Sequence, residues 1–139
     1  MLRFFVAAAV AAFALALPAT AGPGPSVTGG GVSNDGTRFG LAISGGDGRF
    51  ECLMPAQMTV EAIVTNVTVT GSSAAFSGTA SVTLGGKNPF GLPSGVLIRG
   101  TPFTATATAG GPGVGTLDLN ILGLDFPGTV AHGQISVTP

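Results

Sequence analysis

The chain has few residues with reactive side chains, and its histidine content limits the catalytic possibilities. His132 is the only histidine in the sequence, so a Ser-His-Asp arrangement has to use it as the general base. Asp118 or Asp125 is the candidate orienting acid, with a serine as nucleophile. No Gly-x-Ser-x-Gly elbow accompanies them, and the predicted strand face of His132 also carries Val130 and Gln134. We predict no catalytic residues; a small extracellular hydrolase using His132 with Asp118 or Asp125 is the alternative.

The carboxylates suggest two further kinds of chemistry. Asp118 and Asn120 lie on one face of a predicted strand, and Asp125 follows in the predicted next turn, so their oxygens resemble the beginning of a calcium shell. Calcium takes roughly six to eight oxygens, and the dense Asp-x-Asp-x-Asp-Gly loop is missing. Glu51 and Glu61 have the side chains of a general acid and base, but nothing in the sequence pairs them. We predict no metal site and no cofactor.

Composition disfavours several classes of function. Cys52 is the single cysteine, so no intramolecular disulfide forms, and a buried thiol is expected. Removing Arg3 changes the formal charge from −1 to −2, and the remaining chain has no cluster of Lys and Arg, which excludes nucleic acid as a partner. Trp and Tyr are absent, and these are the rings on which sugar-binding faces and membrane-interface girdles usually depend.

The first residues have the pattern of a secretion signal. Arg3 supplies the positive start, an apolar core runs from Phe4 to Leu17, and Ala19-Thr20-Ala21 matches a signal-peptidase site. The apolar run is shorter than the roughly 20 residues that span a bilayer, and Gly and Pro follow it. We predict a cleaved signal peptide at 1–21, a flexible lead-in at 22–26, and a secreted protein without a membrane span in the mature chain.

Beyond the lead-in, apolar and polar residues alternate in short runs separated by glycine-rich turns, which predicts β-strands. In "TRFGLAIS" the side chains of Phe39, Leu41 and Ile43 share one face, and the following "GGDG" predicts a tight hairpin. "DFPG", at 125–128, is predicted as a turn between the last two strands. The pattern indicates one all-β domain at 27–138, an antiparallel β-sandwich or small β-barrel of about 7–9 strands.

The longest predicted strand runs from 57 to 70. We expect Ile63, Val67 and Val69 to share one face with Thr65, and Val64 to lie on the opposite face with Asn66, Thr68 and Thr70. The predicted partner strand begins after Ser72. Its apolar face consists of Ala74, Phe76, Gly78, Ala80, Val82 and Leu84, and its opposite face carries hydroxyl groups.

Five stretches carry a resemblance to a known family. They are "VTGGGV", "RFGLAISGGDGRFECLMP", "IVTNVTVTGSSAAFSGTASV", "PFTATATAGGPGVGTLDLNI" and "GTVAHGQISV". Together they resemble the secreted bacterial domains called post-COAP, from about Val27 to Val137. The resemblance implies an exported β-domain, found alone or beside other extracellular modules, and it brings no catalytic or binding residues with it.

Two surface features are candidate contact sites. The loop "GGKNPFGLPSG", at 85–95, is expected to expose Phe90 and Leu92; in the alternative, both side chains fold back to cap an open end of the domain. Hydroxyl-bearing residues form aligned arrays that could bind ice, a polymer or a second copy of the chain. The twist of a β-sheet opposes the flat face that ice binding needs. Strands that simply face water explain the pattern equally well. The arrays are Thr104, Thr106 and Thr108, and Thr79, Ser81 and Thr83.

These observations predict a secreted, non-enzymatic β-domain. We expect it to act as a structural or interaction module at the cell surface or in the medium, with an unidentified protein or cell-surface component as its partner. A β-barrel that carries a small apolar ligand is a further alternative to the hydrolase. An outer-membrane pore is disfavoured because the strands lack aromatic girdles and expose threonine.

Overall fold

Eight antiparallel strands make up residues 24–139, the part of the chain that a computed structural model describes. Each strand pairs with the next one in sequence, and the last strand pairs with the first, so the sheet closes into a barrel. This confirms the all-β prediction and selects the small barrel over the sandwich. The predicted signal peptide, 1–21, lies outside the described residues. The strands are β1 Ser26–Ser33, β2 Arg38–Ser44, β3 Asp47–Met54, β4 Met58–Thr70, β5 Ser73–Leu84, β6 Leu97–Thr108, β7 Thr116–Ile121 and β8 Leu124–Thr138.

Alternation along β2, β3 and β5 places apolar side chains inside the barrel and polar ones outside. Phe39, Leu41 and Ile43 are buried as predicted, and β2 is joined to β3 by a two-residue turn at Gly45 and Gly46. The predicted apolar face of β5 also lies inside, because its large side chains are buried. In the described residues, we find no helix with the length and apolar character needed to cross a membrane.

The interior of β4 differs from the prediction. Val64 is fully buried, whereas Ile63 is 55% exposed, the reverse of the expected assignment. The register between β4 and β5 shifts immediately after Val64, so Thr65 is the extra residue of a β-bulge. Val67 and Val69 then pack against the core. The prediction was wrong because it continued the alternation through residue 65 without a bulge.

The predicted turn at 125–128 is also wrong, because these residues belong to β8. Asp125 lies opposite Asn120 of β7, and the real turn is Leu122 and Gly123, both with positive φ. Pro127 is tolerated in the strand because β1 ends before reaching it, so β8 has a strand partner on one side only at this point.

Three phenylalanines fill the middle of the barrel. The ring centroids of Phe50 and Phe76 are 5.7 Å apart, those of Phe50 and Phe103 are 6.1 Å apart, and those of Phe76 and Phe103 are 6.4 Å apart. Such aromatic pairs add about 0.5–1.5 kcal/mol each to the energy of burial. Each ring gains room because one of its two cross-strand neighbours is small; for Phe50, Phe76 and Phe103 these small neighbours are Ala62, Ala105 and Gly78 respectively.

Glycines allow β1 and β8 to approach closely where the barrel closes. Gly31 lies opposite Gly133. A Cβ on Gly31 would lie 2.0 Å from the carbonyl oxygen of His132, and a Cβ on Gly133 would lie 2.1 Å from that of Gly30. Atoms do not approach to such distances, so this seam requires residues without side chains.

Candidate functional site

A shallow groove follows the outer face of β5. Small side chains form its floor, because the outward positions at this end of the strand are Ser73, Ala75 and Ser77. Taller polar side chains from the neighbouring strands form its walls. They are Asn66, Thr68 and Thr70 on β4 and Thr104, Thr106 and Thr108 on β6. We call this surface the hydroxyl groove.

Strand register places the groove residues in cross-strand rows. Thr68, Ala75 and Thr106 form the central row. On one side of it is the row Asn66, Ser77 and Thr104, and on the other side is the row Thr70, Ser73 and Thr108. The groove therefore presents hydroxyl and amide groups at regular intervals along the strands.

The hydroxyl groove consists of two adjoining cavities of about 270 Å³ and about 330 Å³. They share Thr68, Ala75 and Thr106. Asn120 of β7 also borders the first cavity, and neither cavity has a charged residue among the described residues that line it. Each is close to the lower limit of ordinary small-molecule sites, which begin at roughly 300 Å³.

The β-bulge at Thr65 gives the groove its β4 wall. Before the bulge, Ile63 faces water. After it, Asn66, Thr68 and Thr70 face water, and the two valines that alternate with them pack against the core. Gly78 permits this irregular pairing, because a Cβ there would lie 1.9 Å from the carbonyl oxygen of Ile63. Gly78 is thus a positioning residue for the groove, although it lines neither of its cavities.

The oxygen donors considered for a calcium shell lie beyond the β6 wall. Asp118 is opposite Thr106, and Asn120 is opposite Thr104 on one side and Asp125 on the other. The structure therefore brings these oxygen donors together on two adjacent strands, with Asp125 in β8 and not in the turn that joins β7 to β8. Among the described residues, no group of three or more His, Cys, Asp or Glu side chains has an arrangement that could hold a metal ion.

Asp118 and Asp125 form a pair of interacting carboxyls. A side-chain hydrogen bond with Asp125, followed by burial and by the negative charge of Asp125, raises the pKa of Asp118. Oδ1 of Asp118 is shielded from water and has no hydrogen-bond partner among the described residues. Protonation of Asp118 removes its charge repulsion with Asp125, and at higher pH the two negative charges repel each other.

His132 lies far from this pair. It is opposite Val32 of β1, whereas Asp118 is opposite Pro127. His132 is five positions after Pro127 along β8, which is about 16 Å at about 3.3 Å per residue. The structure does not assemble the arrangement of His132 with Asp118 or Asp125 that the hydrolase alternative requires.

At the end of the barrel where β1 joins β2, Asp35 is held by local hydrogen bonds. The Ser33 hydroxyl and the Thr37 backbone N–H both donate to its Oδ1 atom, the latter at 3.1 Å. Partial burial acts to raise the pKa of Asp35, but these hydrogen bonds outweigh it, and the net effect is a lowered pKa.

Cys52 is buried beside the same end of the barrel. Burial, together with the negative charge of Asp35, raises the pKa of the thiol to about 12, so it remains protonated and unreactive at neutral pH. The cavity that Cys52 and Phe39 help to line measures about 20 Å³, which is room for about one water molecule. This small volume and the packed phenylalanine rings give no support to the carrier alternative.

Asn88 organises the loop at 85–95. Its Nδ2 donates to the carbonyl oxygens of Gly85 (2.9 Å) and Leu92 (2.7 Å), and its Oδ1 accepts from the N–H groups of Phe90 (3.0 Å) and Leu92 (3.2 Å). Phe90 packs against the core, whereas Leu92 is 45% exposed. The prediction that both side chains are exposed is therefore wrong for Phe90, which folds back onto the barrel.

A second depression lies on the outer wall of β2 to β4. Glu51 is directly opposite Glu61, a pairing that the sequence did not reveal. The cavity beside them measures about 330 Å³ and is also lined by Arg38, Gly40 and Thr59. Both glutamates are exposed on the convex wall of the barrel. We call this surface the charged notch.

Comparison with known proteins gives no match for this chain among protein-family models, curated proteins or solved structures. The resemblance to post-COAP domains therefore stays a prediction, and function has to be argued from the geometry of the surface.

Sequence reasoning found part of the hydroxyl groove. The array Thr104, Thr106 and Thr108 indicated the β6 wall. The alternation also predicts that Asn66, Thr68 and Thr70 of the β4 wall share one strand face. Whether this face lies beside the β6 array depends on strand order and register. The closed barrel also curves the array around its axis, so the ice hypothesis, which needs a flat face, gains no support.

Proposed function

We propose that the protein is a secreted, non-enzymatic binding module whose contact surface is the hydroxyl groove. The observation that carries this proposal is the uncharged depression formed by three aligned rows of hydroxyl, amide and methyl groups. Surface charges occur nearby, at Asp118, Asp125 and the charged notch, but none lines the groove. The separation of His132 from the acidic pair supports a binding role over a hydrolytic one.

The first test compares two single substitutions that add the same charge. Thr106→Lys places a long charged side chain in the central row of the groove. Ala42→Lys is the matched control, because Ala42 is exposed on β2, on another wall of the barrel. Each purified chain, spanning 22–139, is mixed with insoluble polysaccharides and isolated cell envelopes, and the bound fraction is measured.

We expect wild type and Ala42→Lys to bind the same material and Thr106→Lys to bind at least about tenfold more weakly, which corresponds to about 1.4 kcal/mol. Equal binding by both variants would contradict a role for the groove. Thermal unfolding of both variants shows whether the barrel is intact, so that lost binding is not confused with lost folding.

A further inference from the structure

We infer that the hydroxyl groove takes an extended, uncharged glycan chain. This inference rests on the proposed function and adds the chemical class of the ligand. The groove runs along β5 past Ser73, Ala75 and Ser77, with walls that repeat the same kinds of group on both sides. A ligand that fits it has to be long, narrow and rich in groups that both donate and accept hydrogen bonds.

The charge distribution favours a neutral ligand. The groove lining contains neither an acidic nor a basic residue among the described residues, so an ionic polymer would leave its charges unpaired there. Beyond the β6 wall, Asp118 and Asp125 place negative charge on the next strands. This charge disfavours an anionic polymer, such as a chain of uronic acids, over a neutral one of the same shape.

The closed barrel argues against an extended peptide. Peptides that bind sheets usually pair their backbone with an exposed strand edge. Within the groove, residues 73–77 of β5 pair with β4 on one side and with β6 on the other, so the groove floor offers side chains and no free backbone edge. A peptide in the groove would keep many of its own backbone groups without partners, and burying such groups is costly.

The side chains of the groove match the chemistry of sugar rings. A threonine or serine hydroxyl can donate one hydrogen bond and accept others, and the Asn66 amide can also do both. The Ala75 side chain and the threonine methyl groups contribute apolar contacts for the C–H faces of a ring. Outward side chains recur about every 6.7 Å along a strand, so the groove offers repeated contacts to a repeating chain.

The absence of Trp and Tyr sets an expectation for affinity. Without a flat ring to stack on, each sugar unit gains only the modest net energy of its hydrogen bonds and methyl contacts. Binding should therefore be weak for a monosaccharide and should strengthen with chain length, because a longer chain makes more of these contacts at once.

The test is an NMR titration of the 15N-labelled chain spanning 22–139. The probes are glucose, cellohexaose, and an oligogalacturonate of similar length as the anionic counterpart. We expect saturable shifts at Thr68, Ala75 and Thr106 with cellohexaose, a much weaker response to glucose, and weaker binding of the oligogalacturonate. Thr106→Val, which keeps the shape and removes the hydroxyl, should weaken binding by about fivefold. The matched control Thr59→Val, on the charged notch, should leave it unchanged.

The outcomes separate this inference from the proposed function. Shifts that centre on the charged notch or are absent with cellohexaose overturn the neutral-glycan inference, as does equal or tighter binding of the oligogalacturonate. In each of those cases, the binding test with Thr106→Lys decides whether the groove is the contact surface. If Thr106→Lys still prevents binding to the polysaccharides or cell envelopes, the groove remains the contact surface and its ligand belongs to a different class. If Thr106→Lys has no effect on capture, the proposed function itself fails.

Discussion

The hydroxyl groove and the charged notch are depressions in the outer wall of one barrel, and the notch is about as large as either cavity of the groove, yet their chemistry is opposite. Each has a small residue at its floor, Ala75 in the groove and Gly40 in the notch. The groove is bordered by threonines, whereas Glu51 and Glu61 face each other across the notch. Strand alternation explains why both sets of side chains face water. It does not explain why one depression is free of charge, and this difference is the reason why we propose the groove as the contact surface.

The largest expected effect is at Gly78, beside the groove, and it contrasts with the small effect expected at Gly40, which lines the notch. Gly78→Ala places a Cβ at 1.9 Å from the Ile63 carbonyl oxygen, so β4 or β5 has to move and the bulge is lost. We expect a loss of about 3 kcal/mol or more in the free energy of unfolding. At Gly40 a Cβ meets no atom within 4 Å, and Gly40→Ala should stabilise the strand by about 0.5 kcal/mol.

Urea unfolding of both variants at one temperature measures this contrast. If Gly78→Ala were as stable as the wild type, the bulge would not depend on the missing side chain, and our account of the β4 wall would be wrong. An intact barrel in the Gly40→Ala variant serves as the internal control.

Asp118→Asn is expected to have the next largest effect, at the border of the groove. The substitution removes the repulsion with Asp125 and supplies an amide that can donate to it. We expect about 0.5–1 kcal/mol of stabilisation at neutral pH. The reverse exchange at the neighbouring outward position, Asn120→Asp, puts a carboxylate directly opposite Asp125. It should lower the free energy of unfolding by a similar amount. Opposite shifts of the thermal midpoint would support this account, and shifts of the same sign would contradict it.

The pH dependence of stability should differ in sign between two carboxyls. The pKa of Asp118 is raised above 3.8, so the folded state holds this proton more tightly. The stabilisation that Asp118 contributes to the folded state is complete below pH 3.8 and is lost as the pH rises through the raised pKa. The pKa of Asp35 is lowered, so its contribution is present above 3.8 and is lost as pH falls through the lowered value.

Urea unfolding at about pH 7 and about pH 3 tests these signs. Relative to the wild type, the free energy of unfolding of Asp118→Asn should increase more at about pH 7 than at about pH 3. The free energy of unfolding of Asp35→Asn should decrease more at about pH 7 than at about pH 3. Identical pH profiles for the two variants would contradict the assigned directions.

The smallest expected effect is in the charged notch. Glu61→Gln removes one of two like charges that lie directly opposite each other on exposed strands. We expect stabilisation of at most about 0.5 kcal/mol, decreasing with added salt. The variant should leave the hydroxyl groove and its binding unchanged. A large loss of stability would show that Glu61 makes a favourable contact that the charge pairing does not explain.

The sequence predicted the strands well where apolar and polar residues alternate without interruption, as in β2 and β5. It failed at Thr65 because no glycine or proline there signals a bulge. It failed at Leu122 because the turn uses a leucine with a φ of 53°, while the more turn-like Asp125 to Gly128 lies in a strand. Barrel closure also was not specified, because alternation does not say whether the first and last strands pair.

The candidate site was harder to predict for a related reason. Threonines on one strand are ordinary, and the groove exists only when Thr68, Ala75 and Thr106 lie side by side on different strands. Phe90 shows the same limitation in the loop, because its burial depends on the Asn88 hydrogen bonds that turn it back toward the barrel. Such properties depend on register and tertiary contacts, which short sequence patterns do not contain.

The glycine seam between β1 and β8 also bears on how the chain folds. Ser26 pairs with Thr138, so closure joins the first and last strands and has to wait until nearly the whole chain is available. Contacts of such long sequence separation are typical of slow-folding topologies. A chain that ends before β8 would leave β1 and β7 as open edges, which favour association with other chains. The barrel should therefore fold as one cooperative unit, without a stable fragment on the way.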